Sequence, residues 1–356
     1  MNFQDIWQGS LREIIFGIIL GLVQGITEFL PISSTAHLRL ISGILTGRDI
    51  GLTTSNIIQF GTLLAILQYF RKDLVVFRHR IWQILGNNLE IQKFITTFQN
   101  WTKGGDDFAQ KSEDVGLAKS LKNDLEILET EKLQVNDSEN QKTDIILSQL
   151  LVGTLPIIIL GFLLKSFAES HRNIPEIGIF MIIGAILLAL SEYFHLKTKK
   201  LKHTQTLNFG ETVLIGIFQS LAIFPGMSRS GSTLAGSLFL GRDRAESVRF
   251  AFLLSIPALF LSGIVDIIKL FQDIAKNGIN LLPSTTFDSG EKIKLSIITL
   301  ILTFTLSYLS GLFCLKWLLR FLSKNTNFGF IIYRIILGIF LILIGFINYS
   351  FGYLRL

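Results

Sequence analysis

Residues 21–37 read Gly21-Leu22-Val23-Gln24-Gly25-Ile26-Thr27-Glu28-Phe29-Leu30-Pro31-Ile32-Ser33-Ser34-Thr35-Ala36-His37. The stretch starts as an apolar helix and then breaks. Gln24 and Glu28 are four apart, so they share one helix face. Gly17, Gly21 and Gly25 recur at the same interval and form a ridge of small residues for close helix approach. Pro31 ends the helix. Ser33, Ser34 and Thr35 follow as hydroxyl donors and as caps for a returning helix, with His37 just beyond. Irregular backbone at membrane depth survives only where it is buried in protein or lines a wet cavity. A carboxylate there costs roughly 3 kcal/mol or more, which marks Glu28 as a functional candidate. The stretch therefore predicts a re-entrant helix–loop–helix hairpin with its polar groups at the tip.

The rest of the chain supplies the membrane. Of 356 residues, 49% are hydrophobic and only 17% are Asp, Glu, Lys or Arg, below the roughly 25% of an average soluble protein. The mean hydropathy is +0.50. Apolar runs long enough to cross a bilayer fall at Ile145–Lys165, Ile174–Phe194, Phe250–Leu270, Leu295–Leu315 and Phe328–Tyr349. The net charge of +6 does not point to nucleic acid. The Lys and Arg residues sit between apolar runs, where they set topology and meet anionic headgroups. The single Cys314 rules out an intramolecular disulfide and a Cys-based zinc site. Acidic Asp5 and the lack of a small-residue cleavage site make the N-terminal run a first membrane segment, not a removed signal peptide.

The chain reads as a duplication. Segments at about 9–38, 55–70, 145–165 and 174–194 are followed by four more at about 209–240, 247–270, 293–315 and 328–350. Gly21-Leu22-Val23-Gln24 matches Gly216-Ile217-Phe218-Gln219. Each is followed by an apolar stretch, a proline (Pro31, Pro225) and a serine-rich run (Ser33-Ser34-Thr35, Ser228-Arg229-Ser230), with one gap between them. If 9–38 and 209–240 are hairpins that do not cross, each half has three crossings, and an odd number inverts the second half, as in duplicated transporter-like folds. The expected fold is all-α and polytopic, with two inverted repeats, about six transmembrane helices and two re-entrant hairpins. Segments 71–86, 195–208, 241–249 and 316–327 hold fourteen Lys and Arg in about 51 residues, so these read as inside and both termini as outside. The domain reading is 1–86 for the first part of repeat 1, 87–144 for an insertion, 145–208 for the rest of repeat 1 and 209–356 for repeat 2. Residues 87–144, with seven Lys and twelve Asp or Glu, read as a soluble charged cytoplasmic insertion, partly helical and partly disordered.

The second constellation is Phe224-Pro225-Gly226-Met227-Ser228-Arg229-Ser230-Gly231-Ser232-Thr233. Gly226 and Gly231 allow close backbone approach. The hydroxyls and N–H groups at the start of the following helix suit an anion, and Arg229 offers a fork for phosphate oxygens. No Gly-Lys-Ser/Thr ends the motif, so it is not a P-loop. Elsewhere, Asp266 is placed where it could face the cavity. Arg334 reads as snorkelling to the inner interface, and His79, His171, His195 and His203 read as loop residues.

Together the two motifs resemble those of the undecaprenyl-diphosphate phosphatases: (Glu/Gln)-x-x-x-Glu followed by Pro-x-Ser-Ser-x-x-His, then Pro-Gly-x-Ser-Arg-Ser-x-x-Thr. The resemblance covers nearly the whole chain apart from 87–144. It implies hydrolysis of undecaprenyl diphosphate at a bacterial plasma membrane, recycling of the lipid carrier for cell-wall glycan synthesis, bacitracin resistance on overproduction, and dependence on a divalent cation. Carried over to this sequence, it makes Glu28, Ser34, His37 and Arg229 the catalytic set. Substrate binding falls to Gln24, Ser33, Thr35, Gly226, Ser228, Ser230 and Thr233. Glu28, with Gln24, would face a Mg²⁺ or Ca²⁺ ion bound with substrate. Gln24 stands where the family often has Glu, which removes one formal charge from any two-carboxylate metal site.

The chemistry leaves the nucleophile open between Ser34 activated by His37 or Glu28, His37 itself, and water activated by Glu28. The expected partners are the polyprenyl diphosphate and the bilayer, without nucleic acid, and a homo-oligomer stays possible. The head-group pocket is expected to open outward. The competing class is a transporter or flippase of a polyprenyl phosphate, since broken helices at the midplane suit transport as well. A non-catalytic structural or signalling membrane protein is the third class.

Overall fold

The computed structural model of the chain describes residues 3–47, 49–103, 124–197, 207–277 and 295–351. Among these the regular elements are helical: α1 (Phe3–Phe29), α2 (Ser34–Thr46), α3 (Gly51–Tyr69), α4 (Arg71–Gly86), α5 (Asn88–Thr102), α6 (Asp124–Leu163), α7 (Lys165–Ser170), α8 (Ile174–Lys197), α9 (Phe209–Ser220), α10 (Arg229–Phe239), α11 (Arg244–Asn277), α12 (Ile297–Leu322) and α13 (Phe328–Phe351). A 3₁₀ turn, Leu221–Ile223, extends α9. Among the described residues, five stretches are long and apolar enough to cross a membrane: Ser138–Leu163, Ile174–Lys197, Arg244–Val265, Ile297–Leu322 and Phe328–Ile347. The all-helical expectation holds at that level.

The chain divides into two compact units. The first comprises Met1–Tyr69, Thr154–His203 and Ile215–Leu356. In it α1 and α3 pack on α12, α3 also meets α11, α8 packs on α13 and α10, and α2 packs on α1 and α8. The glycine ridge read from the sequence sets the α1–α12 contact. A Cβ on Gly21 would lie 2.5 Å from the Thr303 carbonyl oxygen and 2.9 Å from Leu306 Cβ. Buried Glu13 is fastened at the same seam, where Oε1 accepts from the Ser296 N–H at 2.7 Å.

The two broken segments are built alike. Each loop ends in a serine with positive φ, Ser33 at 73° and Ser228 at 66°, the only such non-glycine residues described. Each caps the helix that follows, Ser33 accepting from Ala36 N–H and Ser228 from Gly231 N–H. Each of those helices then gives way to a left-handed glycine, Gly47 and Gly241, both at φ 69°. Each of these glycines opens a Gly-Arg-Asp triplet, Gly47-Arg48-Asp49 and Gly241-Arg242-Asp243. The repeat thus extends past the part first matched.

The second unit comprises Phe70–Gly153 and Thr204–Leu214, so residues 87–144 fall in it together with α4; residues 104–123 lie outside those described. Buried Arg80 organises it. Its Nε and Nη2 donate to Asp144 at 2.7 and 2.8 Å, and Nη1 donates to Glu90 at 2.6 Å. The guanidinium holds the Glu90 carboxyl below the usual carboxylate range. Trp101 Nε1 and Gln149 Nε2 both donate to the Leu207 carbonyl, at 2.7 and 2.8 Å.

Gly21→Leu is expected to force α1 and α12 apart and cost about 1–3 kcal/mol. A lowered thermal midpoint in detergent tests this, and an unchanged midpoint would refute the close-packed seam.

Candidate functional site

Glu28 stands one residue before the end of α1 and is 7% exposed. Its carboxylate accepts four hydrogen bonds, one from each of the helices α1, α2, α3 and α10. Oε2 accepts from Gln24 Nε2 and Ser34 Oγ, each at 2.7 Å. Oε1 accepts from Gln59 Nε2 at 2.7 Å and from Arg229 Nη2, with which it forms a salt bridge. A carboxylate has about four lone-pair sites, so Glu28 is close to fully used. The Gln24–Glu28 spacing read from the sequence produces the intrahelical bond, and the loop after Pro31 turns back far enough to bring Ser34 onto the same oxygen.

His37 is buried beside this cluster, also on α2. Its Nδ1 lies 2.7 Å from the Ser33 carbonyl oxygen, which can only accept, so Nδ1 carries the proton. Nε2 then accepts from the Tyr333 hydroxyl at 2.6 Å. The two rings are nearly parallel, at 4°. Thr35 is half-buried and takes no part in the side-chain hydrogen bonds found among the described residues.

The second loop supplies the cation. Arg229 is the first residue of α10, placed by the cap at Ser228, whose Oγ accepts from Gly231 N–H at 3.2 Å. Ser230 Oγ lies 3.2 Å from Ser228 Oγ and donates to the Leu30 carbonyl at 3.1 Å, which ties the second loop to the first. Thr233 Oγ1 donates to the Arg229 carbonyl at 2.8 Å and is turned toward its own helix. Gly226 has φ 109°, and a Cβ there would sit 3.1 Å from the Met181 nitrogen, so this turn admits no larger residue. The second loop lacks a carboxylate. Four residues after Gln219, the counterpart of Gln24, stands Ile223. The fully buried Gln219 amide finds no hydrogen-bond partner among the described residues.

Both loops are held by Arg334 of α13. It is completely buried. Nη1 donates to the Pro31 carbonyl at 3.2 Å, Nη2 to Gly226 and Met227 at 3.2 and 2.9 Å, and Nε to Met181 on α8 at 3.2 Å. This corrects the reading of Arg334 as snorkelling: it points into the protein and binds backbone. His195 is corrected too, being buried in the last turn of α8 and not in a loop, and His79 lies within α4. The Asp266 side chain and His203 lie outside the described residues.

The sequence brought forward Glu28, Ser34, His37 and Arg229, and the structure brings Glu28, Ser34 and Arg229 into direct contact, with His37 alongside. It adds three residues the motifs did not name: Gln59, Tyr333 and Arg334. Their one sequence signal was polarity inside apolar runs, strongest for the charge at Arg334.

The site's donors can be tested against a divalent cation. Among the described residues no three His, Cys, Asp or Glu side chains converge as a metal cage. The chain offers the Glu28 carboxylate and the Gln24 amide oxygen. That set fits a hard cation sharing its remaining ligands with phosphate and water, as Mg²⁺ commonly does.

Comparison with known proteins gives the family. The sequence matches the family model described as bacitracin resistance protein BacA over residues 17–105 and 113–340. The chain belongs to this family. Similar proteins are the undecaprenyl-diphosphatases of Gloeobacter violaceus, 34% identical over 92% of this chain and 91% of that one, of Chloroherpeton thalassium, 32% identical over 93% and 96%, and of Nocardia farcinica, 33% identical over 93% and 95%. The family match leaves only 106–112 uncovered between its two parts.

Two substitutions test the support of this site. Arg334→Lys cannot span four carbonyls with one ammonium, and buried acceptors left unpaired cost roughly 1–3 kcal/mol each. A drop of about 3 kcal/mol, read as a lowered thermal midpoint, is expected, and an unshifted midpoint refutes the clamp. Tyr333→Phe should reduce turnover about 10-fold, the effect of one hydrogen bond worth about 1.4 kcal/mol, with the midpoint nearly unchanged; wild-type turnover would show that the His37–Tyr333 bond is idle.

Proposed function

We propose that this protein hydrolyses undecaprenyl diphosphate to undecaprenyl phosphate and inorganic phosphate, recycling the lipid carrier of cell-wall glycan synthesis. The observation that carries the reading is the junction of Glu28 and Arg229, an acid from one loop and a phosphate-type cation from the other, with the Ser34 hydroxyl on the same carboxylate. The family supplies the substrate: its members named above are undecaprenyl-diphosphatases.

The residues divide the chemistry. Arg229, the hydroxyls of Ser228 and Ser230 and the first N–H groups of α10 receive the terminal phosphate, whose oxygens replace Glu28 on the guanidinium. Release of Arg229 leaves Glu28 free to take a proton. Ser34 Oγ, already donating to Glu28 Oε2 at 2.7 Å, is the nucleophile this geometry favours. Oγ bonds to the terminal phosphorus and its proton passes to Glu28. The bond from phosphorus to the bridging oxygen breaks, and undecaprenyl phosphate leaves with that electron pair. Water then attacks the phosphoserine, the P–Oγ bond breaks to release inorganic phosphate, and Ser34 Oγ leaves with that electron pair and takes the proton back from Glu28. His37, with both nitrogens engaged, orients the Ser33–Ser34 turn. A Mg²⁺ or Ca²⁺ ion bound with substrate, on Glu28 and the Gln24 amide oxygen, would neutralise phosphate charge.

The same reading places the site in a membrane. α1–α2 and α9–α10 are the two re-entrant hairpins and α3 is the sixth crossing, in two inverted halves at the bacterial plasma membrane, with the head-group pocket opening outward. Support comes from the matched serine caps and glycine ends of the two hairpins and from the charge bias of the connecting segments.

The test is phosphate release from C55 polyprenyl diphosphate by purified protein in detergent, with and without EDTA. Wild type should release phosphate only with metal, and Glu28→Ala and Arg229→Ala should each lose at least about 100-fold, the usual scale for a removed charge-stabilising group. Folded, metal-supplied wild type that releases nothing would overturn the enzyme reading and leave lipid transport. Trapped phosphoenzyme mapping to Ser34 supports the serine route, and turnover without any phosphoenzyme assigns attack to water activated by Glu28.

A further inference from the structure

A second cationic centre lies on α2, beyond the residues that touch Glu28. Arg39 follows His37 by two residues, about 3 Å further along the helix axis, toward the end of α2 that leads away from the loop junction. It faces Asp49, just past the left-handed Gly47, with Nε and Oδ2 4.0 Å apart. That is an ion pair but not a hydrogen bond. Asp49 is already engaged by Arg172, which precedes α8: Nε and Nη2 donate to its two oxygens at 3.2 and 3.5 Å. Arg39 and Arg172 are each only 12% exposed, and Asp49 23%. Two largely buried guanidiniums therefore share one carboxylate and carry a net charge of +1.

Arg39 is the poorly served partner. Its Nε and Nη1 have no hydrogen-bond partner among the described residues, although both atoms are shielded from solvent. Unpaired charged donors in such a place are costly, and packing alone gives no reason for them. An anion seated between the two guanidiniums supplies the missing acceptors and balances the charge. The group that fits is a tetrahedral phosphate, whose oxygens accept from both forks at once.

We infer that Arg39 and Arg172 form a phosphate subsite between the Glu28–Arg229 junction and the end of α2. Resting on the phosphatase reading, it takes either the inorganic phosphate leaving the junction or the phosphate of an arriving lipid head group. Asp49 holds the two guanidiniums in place and competes with the anion for them.

The experiment uses full-length protein in detergent. Turnover of C55 polyprenyl diphosphate is measured against added inorganic phosphate for wild type, Arg39→Gln, Arg172→Gln and Asp49→Asn. Inorganic phosphate alone is also titrated against the thermal midpoint of each. The subsite predicts that both arginine variants keep kcat within about 2-fold, since neither touches the reacting atoms. Their inhibition constant for phosphate rises about 10-fold if the occupant is free phosphate. Their KM for the lipid rises about 10-fold if it is the head group. Asp49→Asn should move the same constant the opposite way, which a merely structural triad would not do. Unchanged KM and unchanged phosphate inhibition in both folded arginine variants overturn the proposal, as does a fall in kcat alone. If wild type hydrolyses nothing, but phosphate raises its midpoint and fails to raise that of Arg39→Gln, the subsite stands and the phosphatase reading falls.

Discussion

Everything at the centre of this protein depends on one buried guanidinium finding four backbone carbonyls. Arg334 bonds Pro31 from the first loop, Gly226 and Met227 from the second, and Met181 from α8. Loop carbonyls in an apolar protein have no water to turn to, and each unpaired one is a liability. A single planar group with five donors meets that need for two loops at once and sets their separation. Arg334 holds together the two loops beside which Glu28 and Arg229 meet.

The surrounding sequence makes room for this. Gly231 lies so close to Arg334 that a Cβ would stand 2.9 Å from Nη1 and 3.3 Å from Pro31. Gly184 on α8 leaves space on the other side, where a Cβ would meet the Met227 carbonyl at 2.9 Å. Small residues are thus placed where backbone must approach a cation, as well as where helices must approach each other. Both loops keep the turn and the serine cap, but Glu28 stands beside one and Arg229 beside the other, and their ion pair joins the two.

How much of this could be read in advance depended on the kind of signal. The two helix breaks announced themselves because proline, serine clusters and charges interrupt otherwise apolar runs, and Gln24 and Glu28 declared a shared face through helical spacing. Gln59 and Tyr333 did not, because a single polar residue in an apolar helix carries no period and its partner is set by tertiary packing. Arg334 did carry a signal, a charge inside an apolar run, but its position near the start of α13 suited an interfacial reading equally well. The choice turns on which way one side chain points, and that is decided by loops some 100 and 300 residues away in the chain. The same limit applies to Gly47-Arg48-Asp49 and Gly241-Arg242-Asp243, whose kinship is plain once both glycines are seen at φ 69°.

The two strained serines carry one more implication. An L-residue with positive φ is held roughly 1–3 kcal/mol above its relaxed backbone, and here that tension is met during folding, by caps and by Arg334. The backbone of both turns is therefore set before any molecule arrives. The direction of the turn amides is fixed by the fold, whereas the side chains of Arg229 and Ser230 are held by Glu28 and the Leu30 carbonyl.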